Sequence, residues 1–583
     1  MHSSLVDADT ILALEVGTCN TRALLFDVVE GSYRLVATGK APSTASAPVK
    51  DVVIGLVQAI KDLQTITGRS LLDAESAMII PSRDGAGVDS VVAAISAGPA
   101  LKTVVVGMLG QVSLESAIRL ARTNLNRVVK TISLNDGQST SEQVDALIRL
   151  EPDLVIMAGG TDGGASLPLL KMAETIALAC QLTSAEKRPA VLFSGNSSAA
   201  EELAASLKPL TSGFVASLNI RPSIDRENLQ PASRDLADLT INSRRSRLKG
   251  VDDLYTLTSG NLVTASYAQA NMIRFLGKSC AGNRGILGVD VGASAISITA
   301  ACKDDSCASV FPQFGLGESL NGFLKQASLE ELLRWIPDEI PMSYLRDYVY
   351  HKATFPESLP ATQEDQNIEL AITRILLELS MCEFGKGMPA GLQRLCGGSN
   401  SHYEPILVSG SVICDAPTVG QGLLTVLDGI QPAGVTTIIF DRDHLLPGLG
   451  AAVTSHPVLP VQIIDSGVFS GAASVVVPVS LARPGTVILE GSLVTDDGTE
   501  SKFEVTQGSL EILPVPNGQL GRLKLHPLHK TDVGFGTGHP GEMQVGGTRL
   551  GVVIDARGRP VQLPREDGRR RETLKKWLWT LGG

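Results

Sequence analysis

The sequence predicts a mixed α/β protein with a duplicated core, followed by an all-β region and a basic terminal helix. Three observations carry that expectation. A strand–acid–glycine–strand phrase occurs at residues 11–28 and returns at 286–301. Between the copies, apolar runs ending in Gly or Asn turns alternate with helical segments. After His456 the pattern changes to short β-type alternation broken by Gly, Pro and Asp. The length of 583 residues agrees, because it exceeds what one hydrophobic core ordinarily supports.

In the first phrase, β-rich runs at 11–16 and 22–28 flank a small polar tip of Gly17, Thr18, Cys19 and Asn20, the pattern of a hairpin. A third strand is expected at 32–38. The second phrase, ILGVDVGASAISITAA, repeats the grammar: Glu15 stands two residues before Gly17, and Asp290 two residues before Gly292. One such hairpin is common. Two in the same register indicate an internal duplication.

Strands are expected at 76–80, 103–107, 153–157, 190–194 and 213–218, with helices at 114–126 and 167–180. That order fits a mostly parallel sheet, whose ligands sit beyond the carboxyl ends of the strands. The strand-end loop AGGTDGG thereby makes Gly159, Gly160, Thr161, Asp162, Gly163 and Gly164 a candidate ligand loop, joined by Asn196 of GNSS and by the NIRPS turn at 219–223. Residues 338–365 read as an excursion or cap, and 367–381 as a helix. Residues 406–408 lead into VSGSVI, and 437–440 precede the acidic turn DRDHLLPGLGAA. The expected domains are 1–285, a first lobe with an α/β insertion; 286–455, a second lobe; 456–564, a β-rich domain; and 565–583, a basic amphipathic helix.

The net charge of −11 argues against a dedicated nucleic-acid binder. Arg569, Arg570, Arg571, Lys575 and Lys576 read first as a solvated helix face. Eight scattered cysteines without CxxC spacing point to reduced thiols, and the neighbours Cys302 and Cys307 to ordinary loop cysteines. No signal peptide and no apolar run of membrane-spanning length is evident, so a cytoplasmic protein is expected.

A hairpin tip of Gly17, Thr18, Asn20 and Thr21 can offer backbone N–H groups and hydroxyls to phosphate oxygens. Glu15 would hold hydrated Mg²⁺ through water, since that ion keeps much of its hydration shell. The second tip supplies Asp290, Gly292 and Ser294, with Asp290 also facing Mg²⁺ through water. Ala293, Ala295 and Ile296 add no hydroxyl there, so phosphate binding is better supported than fast hydrolysis. Gly410 and Ser411 would bring a helix N-terminus to a nucleotide. No Ser–His–Asp set, zinc spacing or Walker lysine is present. His526, His529 and His539 read as surface or packing residues.

The two hairpins with a third glycine loop resemble the superfamily of actin, sugar kinases and heat-shock chaperone ATPases. More narrowly, EVGTCNTR, PSRDGAG, MAGGTDGG, SGN, NIRP, DVGASAISI, VSGSVI and DRDHLLPGLGAA, in that order across residues 10–455, resemble the MutL-type (GlmL) accessory proteins of the glutamate mutase system, which share only a name with the mismatch-repair protein. The resemblance implies a duplicated actin-like ATPase (ribonuclease H-like) fold, ATP and Mg²⁺ as cofactors, and a protein partner: an adenosylcobalamin-dependent mutase to be reactivated by exchange of damaged cobalamin. The chain departs from the family's second hairpin, usually DIGGATTDV, at Ala295, Ile296 and Ser297, and its β-rich end lies outside the family's core pattern.

Two functional classes stay open. One is an ATP-binding, chaperone-like reactivating factor. The other is an actin-like pseudo-ATPase scaffold that recruits or assembles partners, for which the terminal helix with Trp577 and Trp579 offers a membrane-facing surface. A small-molecule kinase ranks third, because the second hairpin lacks a catalytic base.

Overall fold

Strands β1 (Ile11–Val16), β2 (Asn20–Val29) and β3 (Ser32–Pro42) form an antiparallel meander. Every residue of β1 is buried, with Leu12, Leu14 and Val16 in one core and Ile11 and Ala13 in another, as a strand covered on both faces requires. β4 (Ser90–Ile95) joins β1 in parallel. This apolar run takes the place expected of residues 76–80, where only an isolated bridge from Leu72 to Met78 forms. The computed structural model describes residues 9–279, 284–395, 402–469, 473–516 and 518–582, so Cys280 and Cys396 lie outside the described residues.

Between β4 and the short β10 (Leu262–Thr264) lies the insertion. Its strands β5 (Leu101–Gly107), β6 (Asn126–Ser133), β7 (Leu154–Ala158), β8 (Ala190–Phe193) and β9 (Gly213–Ala216) make a parallel sheet in the order β6-β5-β7-β8-β9. The helix expected at 114–126 is shorter, Glu115–Ala121, because Asn126 Nδ2 takes the Ala121 carbonyl and turns the chain into β6.

The meander returns as β11 (Gly285–Val291), β12 (Ile296–Cys302) and β13 (Asp305–Phe311), followed by parallel β14 (Tyr403–Ser409) and β15 (Gly434–Phe440). The first lobe has the strand order β10-β4-β1-β2-β3, and the second contains β13-β12-β11-β14-β15, the same path taken twice. Both hairpins close with the same backbone bond, Gly17 N–H to Asn20 O and Gly292 N–H to Ala295 O. The protein is therefore built on the duplicated actin-like, ribonuclease H-like core. The lobes share one apolar core in which Ile11, Ala13 and Leu24 pack with Ile286, Leu407 and Leu449.

The region after His456 is not one separate β domain. β16 (Ala473–Val477), β19 (Leu510–Leu513) and β22 (Val552–Asp555) extend the second lobe into an eight-stranded sheet. Only β17 (Val487–Thr495), β18 (Glu500–Thr506), β20 (Leu520–Pro527) and β21 (Gly541–Gly546) form a sheet of their own.

The terminal helix, Asp567–Thr580, packs on the second lobe. Leu574 and Trp577 are buried in that lobe's core, and the Arg557 guanidinium covers the Trp577 ring at 4.5 Å. Arg571 and Lys575 face Glu339 and Asp338. Trp579 is the exposed Trp of the pair, so the two do not form a shared apolar face. Among the described residues no helix is long and apolar enough to cross a membrane.

Candidate functional site

Between the lobes lies a cavity of about 520 Å³, within the range of small-molecule sites. Both hairpin tips, Gly17 to Asn20 and Gly292 to Ala295, line it. The tips touch: Thr18 Oγ1 and Ser294 Oγ share a hydrogen bond across the cleft. Gly410 and Ser411 enter from the end of β14. Gly410 has φ +113°, and a Cβ there would sit 2.3 Å from the Val291 carbonyl oxygen, so this loop can lie against β11 only as glycine. The helix it opens, Ser411–Cys414, is a single turn. Thr21 is buried in β2, its hydroxyl without a hydrogen-bond partner among the described residues.

The acids of the two hairpins are held by protein cations. Arg22, the register partner of Glu15 across the hairpin, donates to Glu15 Oε2 at 3.0 Å and to Ser411 Oγ at 3.2 Å. His444 lies between the lobes' acids, with Nδ1 3.2 Å from Glu15 Oε1 and Nε2 3.3 Å from Asp290 Oδ1. Burial alone would raise the Glu15 pKa, but His444 and then Arg22 outweigh it and bring it to about 2. Burial likewise opposes charging His444, yet Glu15 and Asp290 raise its pKa to about 10, so the ring is an imidazolium at neutral pH.

The His444 backbone is held in the left-handed region, φ +58°. Asp441 fixes the turn by accepting from the N–H groups of Leu445 and Leu446 at 2.7 and 2.9 Å. Burial raises the Asp441 pKa.

This arrangement does not fit Glu15 as a carrier of hydrated Mg²⁺. Both of its oxygens already face cations, and the residue is only 3% exposed. Asp290 shares the same imidazolium. Among the described residues, no group of three or more His, Cys, Asp or Glu is arranged to hold a metal.

A family profile described as "MutL protein" matches residues 11–468. The chain belongs to the MutL family. Protein MutL of Clostridium tetanomorphum is 23% identical over 294 residues, covering 50% of this chain and 57% of that protein, so the match spans little more than half of the relative. Among solved structures, a nucleotide-free acetone carboxylase is 12% identical with a TM-score of 0.29, covering 86% of this chain and 81% of that one. The ethanolamine utilization protein EutJ of Carboxydothermus hydrogenoformans is 11% identical with a TM-score of 0.26, covering 77% and 90%. Scores this low carry no argument, and the fold assignment rests on the strand order itself.

The MutL-family chain keeps its second candidate loop away from the cleft. Gly159 to Gly164 and Asn196 meet at the carboxyl end of the insertion sheet, and none of them lines the cavity. They are knitted to one another: Asn196 Oδ1 accepts from Gly163 N–H, its Nδ2 donates to Gly164 O, and Asp162 accepts from Asn219 Nδ2. His526, His529 and His539 are absent from the cleft lining, and Cys302 and Cys307 are buried free thiols.

Sequence reasoning passed over Arg22 and His444. Arg22 was findable, because hairpin register places it opposite Glu15. His444 left a weaker trace as the one histidine inside DRDHLLPGLGAA, and only the fold brings it between the two acids.

Proposed function

We propose that this chain binds an adenine nucleotide between its lobes and uses lobe closure to act on a protein partner in the mutase system. The observation that carries the reading is the pair of identically closed glycine hairpins that meet across the cavity through Thr18 and Ser294. Gly17, Thr18 and Asn20 would approach the phosphates from one side, Gly292 and Ser294 from the other, with Gly410 and Ser411 at the third edge. A ligand that touches both lobes favours the closed state only by its extra affinity for that state. Family membership supports a mutase-associated partner, and reactivation of an adenosylcobalamin enzyme is the activity we assign to the pair.

The pseudo-ATPase scaffold is favoured by one observation. Glu15 and Asp290 are both held by His444, so neither is free to activate water. The proposal accordingly assigns binding rather than fast turnover, and routes no step through Mg²⁺. Calorimetric titration with ATP and ADP, with and without Mg²⁺, tests it. Micromolar binding that weakens in Gly292→Val is expected, and absence of binding by either nucleotide overturns the reading.

A further inference from the structure

One side of the cavity presents hydrogen-bond donors that have no acceptor among the described residues. Arg244, in the last turn of the helix Gln230–Arg247, lines the cavity and is only 4% exposed. Its NH1 donates to the Ile95 carbonyl at 2.9 Å, its Nε has no partner, and no carboxylate pairs with it among the described residues. Burial without a counter-ion pulls its pKa down to about 10, which still leaves it charged at neutral pH. A buried, unpaired guanidinium is costly, and an anion relieves that cost.

Two more donors converge there. Gln269 is 3% exposed, lines the same cavity, and its Nε2 has no partner among the described residues. It belongs to the helix Ala265–Gly277, whose first turn carries no acid and whose N-cap, Thr264, makes no side-chain capping bond. Thr264 gives its hydroxyl to Asn124 Oδ1 instead. The free N–H groups and the positive end of that helix therefore lack a side-chain partner, while Ala265 and Ser266 face the cavity.

Strand register places these groups together. Thr264 is paired with Ile95, the residue whose carbonyl holds Arg244, and Ile95 is paired with Val16, which precedes the first hairpin tip. The strand ends of β10, β4 and β1 thus stand side by side. Neighbouring strands are about 4.8 Å apart, so the donor cluster lies roughly 10 Å from the Gly17 turn.

We propose that Arg244, Gln269 and the N-terminus of the helix Ala265–Gly277 form a receptor for a small oxyanion, the carboxylate or phosphate of a second ligand bound beside the nucleotide. The phosphate-facing hairpin tip sits two strands away, so this donor cluster is distinct from the tip's own donors, and the ADP arm of the titration separates a second ligand from the nucleotide's far end. The position beside a nucleotide rests on the nucleotide reading; the receptor itself does not.

The test is calorimetric titration of the full chain with inorganic phosphate and, separately, acetate, each with and without saturating ADP. At least one anion is expected to bind with one-to-one stoichiometry in the presence of ADP. Loss of a charged donor should weaken that binding at least about tenfold in Arg244→Met, and loss of a neutral donor about threefold or more in Gln269→Leu. Gln269→Leu keeps the test open should Arg244→Met fail to fold. If neither anion binds, or if both folded variants bind as the parent does, the proposal is overturned. If ADP abolishes anion binding, Arg244 serves the nucleotide's own phosphate and the separate ligand is overturned. Anion binding that depends on Arg244 in a protein that does not bind ADP supports the receptor and removes the nucleotide reading instead.

Discussion

His444 Nδ1 lies 3.2 Å from Glu15 Oε1, which joins the acid of the first hairpin to a turn that follows the last parallel strand of the second lobe's core. The same ring reaches Asp290 at 3.3 Å. One imidazolium thus meets the acid of each hairpin, and the next residues, Leu445 and Leu446, belong to the apolar core that the lobes share.

Replacing His444 by Ala leaves Asp290 without this cation and Glu15 with Arg22 alone. Breaking a buried ion pair costs about 3–5 kcal/mol, and the surviving Arg22 contact puts this case near the lower end, about 3 kcal/mol. Denaturant unfolding of His444→Ala checks it, and an unchanged midpoint would show that the pair contributes nothing net. The variant also frees Asp290 from this cation and leaves one oxygen of Glu15 open. ATP affinity in His444→Ala should therefore depend on Mg²⁺ more strongly than in the parent, which parallel titrations with and without EDTA would read.

The pH dependence follows from the two shifts. His444 rises from 6.5 to about 10 on folding, so its contribution is complete below pH 6.5 and is lost as pH climbs toward 10. Glu15 falls from 4.5 to about 2, so its contribution is complete above pH 4.5 and is lost as pH drops toward 2. Melting temperatures should decline from pH 6 to pH 9, and the decline should be shallower in His444→Gln. Parallel curves for parent and variant would refute the assignment.

The duplication was legible because hairpins are local: Glu15 and Gly17, then Asp290 and Gly292, show the register without any distant contact. Four of the five insertion strands were legible for the same reason, each being an apolar run ended by Gly or Asn. β6 was not, since helix and strand patterns overlap around Asn126 and a side-chain bond to Ala121 decides between them. The merging of β16, β19 and β22 with the second lobe was hidden because strand partners are set by the fold and not by their own alternation. His444 and Arg244 were hidden likewise, as their roles exist only where distant segments meet.

Arg557 is the centre of a buried charge cluster. It pairs with Asp428 and Asp555 at 2.8 Å each, these three side chains being 0% exposed, while Arg374 holds Asp428 and Arg559 holds Asp555. The arginines hold the Asp555 carboxyl well below the usual range despite its burial. Arg557→Met leaves Asp428 with Arg374 alone and Asp555 with Arg559 alone, and should cost about 3 kcal/mol, the lower end for a broken buried ion pair. The double variant with Asp428→Asn should recover part of that loss, and additive losses in unfolding experiments would show that the two residues do not interact.

Trp577 and Trp579 should behave oppositely although they are near neighbours in sequence. Trp577 is buried beneath Arg557, so Trp577→Ala is expected to lose about 3–5 kcal/mol. Trp579 is 82% exposed, and Trp579→Ala should stay within about 0.5 kcal/mol. Equal effects on the melting temperature would mean that the terminal helix does not dock as described.

Gly410 connects stability to the cleft. Alanine at φ +113° is strained, and its Cβ would press on the Val291 carbonyl oxygen at 2.3 Å, so the loop must move away from β11. Backbone strain of this kind costs about 1–3 kcal/mol. Because Ser411 Oγ accepts from Arg22, the same movement loosens the cation that holds Glu15. Gly410→Ala should therefore lower both the melting temperature and the ADP affinity, whereas Gly391→Ala, whose added Cβ meets nothing within 4 Å and which suits the helix Ala390–Leu395, should lower neither. A lower melting temperature with ADP affinity intact would place Gly410 in the framework of the second lobe and outside the nucleotide's reach.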